Sequence, residues 1–414
     1  MAAADAHRPR KVAVLGAGMV GLSTAWFLQE HGVEVTVVDR GAVASGSSWG
    51  NAGWLTPSMA VPLPEPSVLK YGLGAVLDPA SPVYVPPTLD PRLLRFLVQF
   101  ARNCTPRRWA QAMQALVPLN GDALAAFAEL ESGGVAARTR AADPFTAAFR
   151  TADDSRALLQ EFEHIEASGQ RVNHEIIDGA AARADEPALG EAVGTAIRIL
   201  DERFLDPAAY TASVAESVRR RGGVVLEDTE VTDPVHGTDG IRVAGERFDA
   251  VVVATGARLN ELGRRYGVRR IVQAGRGYSF TVKVDHLPRG PVYFPTQRVA
   301  CTPVGDRLRI AGMMEFRRVD APMDPRRIQA LVDQAGQLLE GAHLDQREDE
   351  WVGARPCTSD GLPLIGATND PRVFVAGGHG MWGITLGPVS GKLLAEQVAT
   401  GRTPEQLRPF SPLR

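Results

Sequence analysis

The chain has little lysine, little cysteine and no long apolar run. Of its 45 basic residues only Lys11, Lys70, Lys283 and Lys392 are lysine, a bias expected of GC-rich coding sequence. The formal net charge is −3, so the basic footprint of a nucleic-acid partner is missing. Three cysteines, Cys104, Cys301 and Cys357, show no C-x-x-C spacing. That excludes a disulfide framework and a cysteine metal site, leaves no metal expected, and fits a reducing, cytoplasmic compartment. No apolar stretch approaches the roughly eighteen residues that span a bilayer, which leaves only peripheral membrane contact. Met1 to Arg10 lack an apolar segment and read as a disordered lead-in rather than a secretory signal. No internal repeat is visible.

What is present begins at Lys11. KVAVL reads as a buried parallel strand, Leu22 to His31 as a helix stopped by Gly32, and Val33 to Val38 as a second strand. Between the first strand and the helix lies Gly16-Ala17-Gly18-Met19-Val20-Gly21, a G-x-G-x-x-G turn. Its first glycine makes the turn, its second lets a pyrophosphate approach the backbone, and its third lets helix and strand pack closely. Phosphates then meet the free N–H groups and positive end of the helix, Met19 and Val20 included. Asp39, followed by Arg40, closes the second strand where a carboxylate accepts hydrogen bonds from a ribose diol, and it would repel the extra phosphate of NADP.

NAD and FAD both fit that unit, and three features favour FAD. SGSSWGNAG at 45–53, running on into Trp54 and Leu55, is a small polar loop able to wrap the pyrophosphate and ring. Ser47, Ser48, Asn51, Ala52 and Gly53 are its candidate contacts. Thr255 and Gly256 end a deeply apolar strand at 249–254. Gly377-Gly378-His379-Gly380-Met381-Trp382-Gly383 precedes a C-terminal helix, expected from Val389 to Thr400, whose start can face the flavin edge where charge accumulates.

The length, 414 residues, implies two domains. Residues 55–91 are proline-dense loop. Helices are expected at 92–100, 109–130, 155–168, 207–222 and 325–339, and short β-rich runs from 270 to 315 suggest an antiparallel sheet. The fold class is therefore α/β: a discontinuous Rossmann-like FAD-binding domain plus an α+β substrate domain with an antiparallel sheet. The cofactor domain takes 1–85, 186–269 and 353–414; the substrate domain takes a mostly helical 86–185 and the sheet at 270–352.

Taken together, VAVLGAGMVGLSTAWFL, SSWGNAG, GRGYSFTV at 275–282, RIAGMMEF at 309–316, GARPCTSDGLPLIG at 353–366 and GGHGMWGITLGPVSGKLLAE at 377–396 resemble the D-amino-acid oxidase superfamily of FAD-dependent oxidoreductases. Within it they are most similar to the bacterial D-amino-acid dehydrogenase small-subunit family. The resemblance implies oxidation of a D-amino acid to a 2-oxo acid and ammonia, with electrons passed to a quinone or other carrier. An oxygen-using oxidase of glycine, sarcosine or a cyclic imino acid, or the flavin subunit of a larger complex, is the alternative. It implies that Val231 meets the adenine through its backbone, that Gly378, Gly380, Gly383, Ile384 and Thr385 line the ring, and that Arg355 pairs with the substrate carboxylate. On its residues alone Arg355 reads rather as one half of a structural ion pair, with Asp360 as its partner; the resemblance turns the reading to substrate binding. Tyr278 is either a hydroxyl over the substrate or a core aromatic with a polar tip, and His379 either a flavin neighbour or a neutral loop residue. Met314 and Glu315 are weaker pocket candidates. Cys357 is expected to be unreactive and FAD non-covalent.

Overall fold

The computed structural model describes residues 8–66, 78–232, 234–237 and 240–414. Most of the expected lead-in and residues 67–77 of the expected proline-dense loop lie outside them.

The strand Lys11–Leu15, helix Met19–Glu30 and strand Glu34–Val38 form the βαβ unit read from the sequence. Around it runs a six-stranded sheet in the order 224–226, 34–38, 11–15, 250–253, 373–377, 364–367. Neighbours are parallel except the last pair. Strands buried on both faces read as continuous apolar runs, which is why KVAVL and AVVV were legible. The helix Gly383–Thr400 crosses Met19–Glu30 at Gly391, where a Cβ would come within 2.6 Å of the Thr24 nitrogen. This helix starts six residues earlier than expected. Pro388 lies inside it, so the carbonyl of Ile384 loses its usual donor without ending the helix.

A nine-stranded sheet forms the second layer. Its order is 348–358, 272–282, 307–316, 299–304, 292–294, 145–149, 195–199, 174–178, with Val83–Tyr84 beside 307–316. Three expectations change here. The stretch 86–185 is not simply helical, since it supplies Phe145–Phe149 and His174–Asp178 to this sheet. Thr195–Ile199, expected with the cofactor domain, pairs with both. The strand Glu348–Thr358 runs through the expected boundary at 352/353. FTAAF is too short and alanine-rich, and HEIID too polar, to announce a strand by pattern alone.

Alternation sorts the sheet's two faces. Tyr278, Phe280, Val282, Val292, Phe294, Val299, Cys301, Leu308 and Ile310 pack in one apolar layer with the helix Pro325–Ala335. The other face meets the 45–55 loop.

Candidate active site

The glycine turn leaves no room for side chains at its first and third glycines. Gly16 has φ +118°, and a Cβ on it would lie 2.4 Å from the Ala254 carbonyl oxygen. A Cβ on Gly21 would lie 2.0 Å from the Gly16 carbonyl oxygen. Gly18 starts the helix without a side-chain cap, so the first-turn N–H groups of Met19, Val20 and Gly21 point at the turn. One of them is engaged: Met19 N–H donates to Ser48 Oγ at 3.1 Å. Asp39 accepts from Ala17 N–H at 2.7 Å and Gly41 N–H at 3.0 Å, which aims its carboxylate across the helix start with lone pairs to spare. Arg40 points to solvent. Thr229 N–H donates to the Asp39 carbonyl, bringing the loop with Val231 alongside. Thr255 and Gly256 close the neighbouring strand, and Thr255 Oγ1 is buried with no partner among the described residues. These residues fit an adenine dinucleotide: a tight glycine turn that brings strand and helix together, free N–H donors at the helix start and one aimed carboxylate.

The 45–55 loop joins this cradle to the large sheet. Arg309 Nη1 donates to the Trp49 carbonyl at 2.7 Å and its guanidinium lies 5.1 Å from that ring's centroid. Ser279 Oγ donates to the Gly50 carbonyl at 3.0 Å, and Trp54 Nε1 donates to Thr302 Oγ1 at 2.9 Å. Asn51 Oδ1 caps Gly53 N–H at 2.7 Å. Ser47 and Ala52 are half-buried in the loop; Leu55 instead lies wholly in the core, so only its backbone can face a cofactor. Thr385 Oγ1, in the first turn of the C-terminal helix, donates to the Trp54 carbonyl at 2.9 Å, so both glycine-rich segments meet there. Ile384 is buried beside it, while Gly380, Met381, Trp382 and Gly383 are partly open.

Arg355 lies on this same face. Its guanidinium sits over Gly277, where a Cβ would come within 2.2 Å of Nη2. Nη1 donates to the Met313 carbonyl at 2.7 Å and lies 3.9 Å from Met314 Sδ. That carbonyl is turned out by a bulge: Arg276 pairs with Glu315 but Tyr278 with Gly312, and Met313 takes φ +62°. Among the described residues no carboxylate pairs with Arg355. Asp360 pairs instead with Arg414 at 3.2 Å and Arg270 at 3.4 Å. Burial lowers the Arg355 pKa, yet a guanidinium stays charged.

Tyr278 is not beside Arg355. It faces the opposite, apolar layer, 1 % exposed, and its hydroxyl donates to Glu315 Oε2 at 2.6 Å. Arg276 and Arg317 pair with the same buried carboxylate at 3.6 and 3.1 Å. Tyr278 and Glu315 thus belong to a core network, and one residue of strand alternation separates them from the pocket. Met314, by contrast, does face Arg355.

His379 Nε2 lies 2.9 Å from Ser390 Oγ, and Nδ1 is buried with no partner among the described residues. Burial pushes its pKa down to about 4, so it is neutral at pH 7. It bridges to Cys357 through the backbone. Burial pushes the Cys357 thiol up to about 12, which keeps it protonated and unreactive.

Sequence reasoning passed over Arg309 and Met313. Arg309 left one signal, a charge well inside the alternating run RLRIAGMM; the bulge at Met313 left none. Among the described residues no cluster of His, Cys, Asp and Glu could hold a metal ion, and no helix is long and apolar enough to cross a membrane.

Known proteins resemble the chain over nearly its whole length. The chain is 32 % identical to D-amino acid dehydrogenases of two strains of Cereibacter sphaeroides, over 95 % of its length and 93 % of theirs. Among solved structures it resembles glycine oxidase from Geobacillus kaustophilus, with a TM-score of 0.72 at 24 % identity over 99 % of both chains. It also resembles glycine oxidase from Bacillus cereus, with a TM-score of 0.71 at 21 % identity over 98 % of this chain and 99 % of that one. A family model described as FAD dependent oxidoreductase matches residues 11–397. The chain belongs to this family of FAD-dependent oxidoreductases.

Proposed function

We propose that the protein is an FAD-dependent D-amino-acid dehydrogenase in which Arg355 holds the substrate carboxylate. One observation carries this reading: a half-buried guanidinium on the cofactor-facing side of the sheet has a single backbone hydrogen bond and no acidic partner among the described residues. Its remaining N–H groups match a carboxylate bidentately. The Met313 carbonyl fixes the plane of the fork, and Gly277 leaves room beneath it. The relatives named as D-amino acid dehydrogenases support the substrate class.

Bound FAD supplies a two-electron acceptor for the hydride leaving Cα, after which the imino acid takes up water to give a 2-oxo acid and ammonia. The chain's own part is placement. Arg355 fixes the carboxylate and with it the direction of the Cα–H bond. Neutral His379 adds no positive charge that would oppose loss of hydride from an amine. Trp382 Nε1 donates to the Val61 carbonyl at 2.8 Å and closes the pocket's side toward the 60–64 segment. The first turn of the C-terminal helix presents N–H groups to the 45–55 loop. Gly16, Gly18, Gly21, Asp39, Ser48 and the Gly378–Thr385 segment are the assigned FAD contacts, held without a covalent bond. Electrons leave to a quinone or carrier.

The test is anaerobic titration of the holoenzyme with D-amino acids, glycine, sarcosine and D-hydroxyproline, read as bleaching of flavin absorbance, followed by a quinone or air. Bleaching by D-amino acids with fast reoxidation by quinone is expected. Bleaching only by glycine or sarcosine, with peroxide released in air, would put an oxidase in its place. Arg355→Ala should raise the KM for the acid by roughly a hundredfold; an unchanged KM removes Arg355 from the assignment.

A further inference from the structure

A second cavity lies outside the site built around Arg355. It measures about 310 Å³ and opens between the first three turns of the helix Pro106–Ser132, the 60–64 segment and the turn at Asp360–Leu362. That volume suits one small ring-shaped ligand. Pro62, Pro64, Ala112, Ala115 and Leu362 make most of its lining apolar. Asp360 is the one acid along it, and Arg414 and Arg270 already pair with that carboxylate. The groups left over are donors. Trp109 borders the cavity, is 6 % exposed, and its Nε1 is buried with no partner among the described residues. Arg108, also in the lining, engages only Nη1, on the Arg102 carbonyl and on Asn103 Oδ1. A buried N–H without an acceptor is uncommon in a folded protein, so one beside a cavity marks a place for a ligand's oxygen.

This cavity and the proposed flavin site share a wall. In an extended segment alternate residues face opposite ways. Pro62 and Pro64 line this cavity, while Val61 and Leu63 line the small space beside Gly378, Gly380 and Met381. The turn at 360–362 repeats the division, with Asp360 and Leu362 on one side and Gly361 on the other. The wall is one chain thick, about 5–10 Å by the usual spacing of backbone layers. It is also fixed. Asn120 Nδ2 donates to the Ala60 carbonyl at 2.9 Å, Trp382 Nε1 donates to the Val61 carbonyl at 2.8 Å, and two proline rings lock the backbone that follows. Gly361 packs so closely on it that a Cβ would lie 2.7 Å from Pro64 Cδ. Such a wall keeps a second reactant off the flavin ring, yet electrons cross a gap of that width without contact.

Resting on the reading of the protein as a dehydrogenase, we propose that this cavity binds the ring of the quinone that accepts the electrons. The apolar lining holds the ring, and Trp109 Nε1 and Arg108 donate to its carbonyl oxygens, where negative charge grows on reduction. Two electrons pass from the reduced flavin through the 60–64 wall. The two protons lost at the flavin leave to water, and the quinone takes two protons from water to become a quinol. The amino acid and the quinone thus occupy different places, and the oxidised holoenzyme binds quinone without substrate.

The test is equilibrium dialysis of the oxidised holoenzyme against the tailless ubiquinone headgroup, in wild type, Trp109→Phe and Ala115→Leu, beside flavin content and stopped-flow measurement of both half-reactions. Trp109→Phe keeps a ring and removes the N–H, and should raise the quinone Kd about three- to tenfold. Ala115→Leu fills the cavity and should raise it about tenfold or more. Bleaching by the D-amino acid should stay within about twofold in both, while reoxidation by quinone weakens in step with the Kd. An unchanged Kd in both variants overturns the inference. So does a raised amino-acid KM with the quinone Kd unaltered, which would make the cavity the substrate's way in. Displacement of the headgroup by inorganic phosphate overturns it too, by marking an anion site. No bleaching by any D-amino acid would remove the dehydrogenase reading instead, and the dialysis then still decides whether the cavity binds quinone.

Discussion

Gly277 lies directly beneath the guanidinium of Arg355, and a single methyl group there would come within 2.2 Å of Nη2. The arginine cannot keep both its bond to Met313 and its position above an alanine. Gly277→Ala should therefore raise the KM for the acid substrate by about ten- to a hundredfold with FAD content unchanged. Steady-state kinetics beside the flavin-to-protein absorbance ratio check this, and an unaltered KM would mean that the guanidinium is not held where the carboxylate binds.

Asp39 bonds two backbone amides and points its remaining lone pairs at the helix start. Asp39→Asn keeps an acceptor for one amide but brings an N–H toward the other and removes the charge. The variant should fold and lose FAD affinity by about tenfold or more, read as flavin fluorescence released on dilution. Retention equal to wild type would take Asp39 out of the cofactor site.

Arg309 ties the 45–53 loop to the large sheet through the Trp49 carbonyl. Its burial lowers its pKa, but it remains charged, so its loss leaves a desolvated carbonyl behind. Arg309→Met should cost about 1.5–3 kcal/mol of stability and speed FAD dissociation. Thermal unfolding and the FAD off-rate report the two effects separately.

Glu202 is buried and accepts hydrogen bonds from Ser58, and burial first of all pushes its carboxyl up to about 8. In the unfolded chain a glutamate titrates near 4.3. A raised folded pKa contributes stability that is complete below the unfolded value and is lost as pH rises through the folded one. Wild-type stability should thus fall between about pH 4.5 and 8, and Glu202→Gln should flatten that slope and gain most at pH 8. Melting temperatures at pH 5.5 and 8 measure it, and a slope unchanged by the substitution refutes the assignment.

The cofactor end of the molecule was legible because its chemistry is local. The turn at Gly16–Gly21, the strand before it and Asp39 lie within one βαβ unit, and their placement follows from spacing. The substrate end is assembled from distant strands. Arg355 and Tyr278 looked alike as candidates, and only strand pairing shows one facing the cofactor loop and the other facing Glu315. Register depends on a bulge at Met313 that no residue type announces. Phe145–Phe149 was not seen as a strand, and Thr195–Ile199 was put in the cofactor domain, for the same reason: sheet membership is decided by partners, not by the strand's own sequence. Asp360, the ion-pair partner that sequence proximity offered to Arg355, is held by Arg414 at the far end of the chain.

The two-faced sheet also separates two kinds of change. Residues assigned to the ligand under the proposed function alternate along the same strands with residues that hold the fold together. Substitutions on the pocket face, at Ala300 or Ala311, leave the apolar layer beneath intact, so new substrate preferences can arise without loss of the scaffold. Insertions enjoy no such freedom. A slip of one residue in the 272–282 strand would drive Tyr278 into the pocket and bring Gly277 into the core, exchanging reader and foundation in a single step. Natural variation in this strand should therefore appear as replacements in register and not as changes in length.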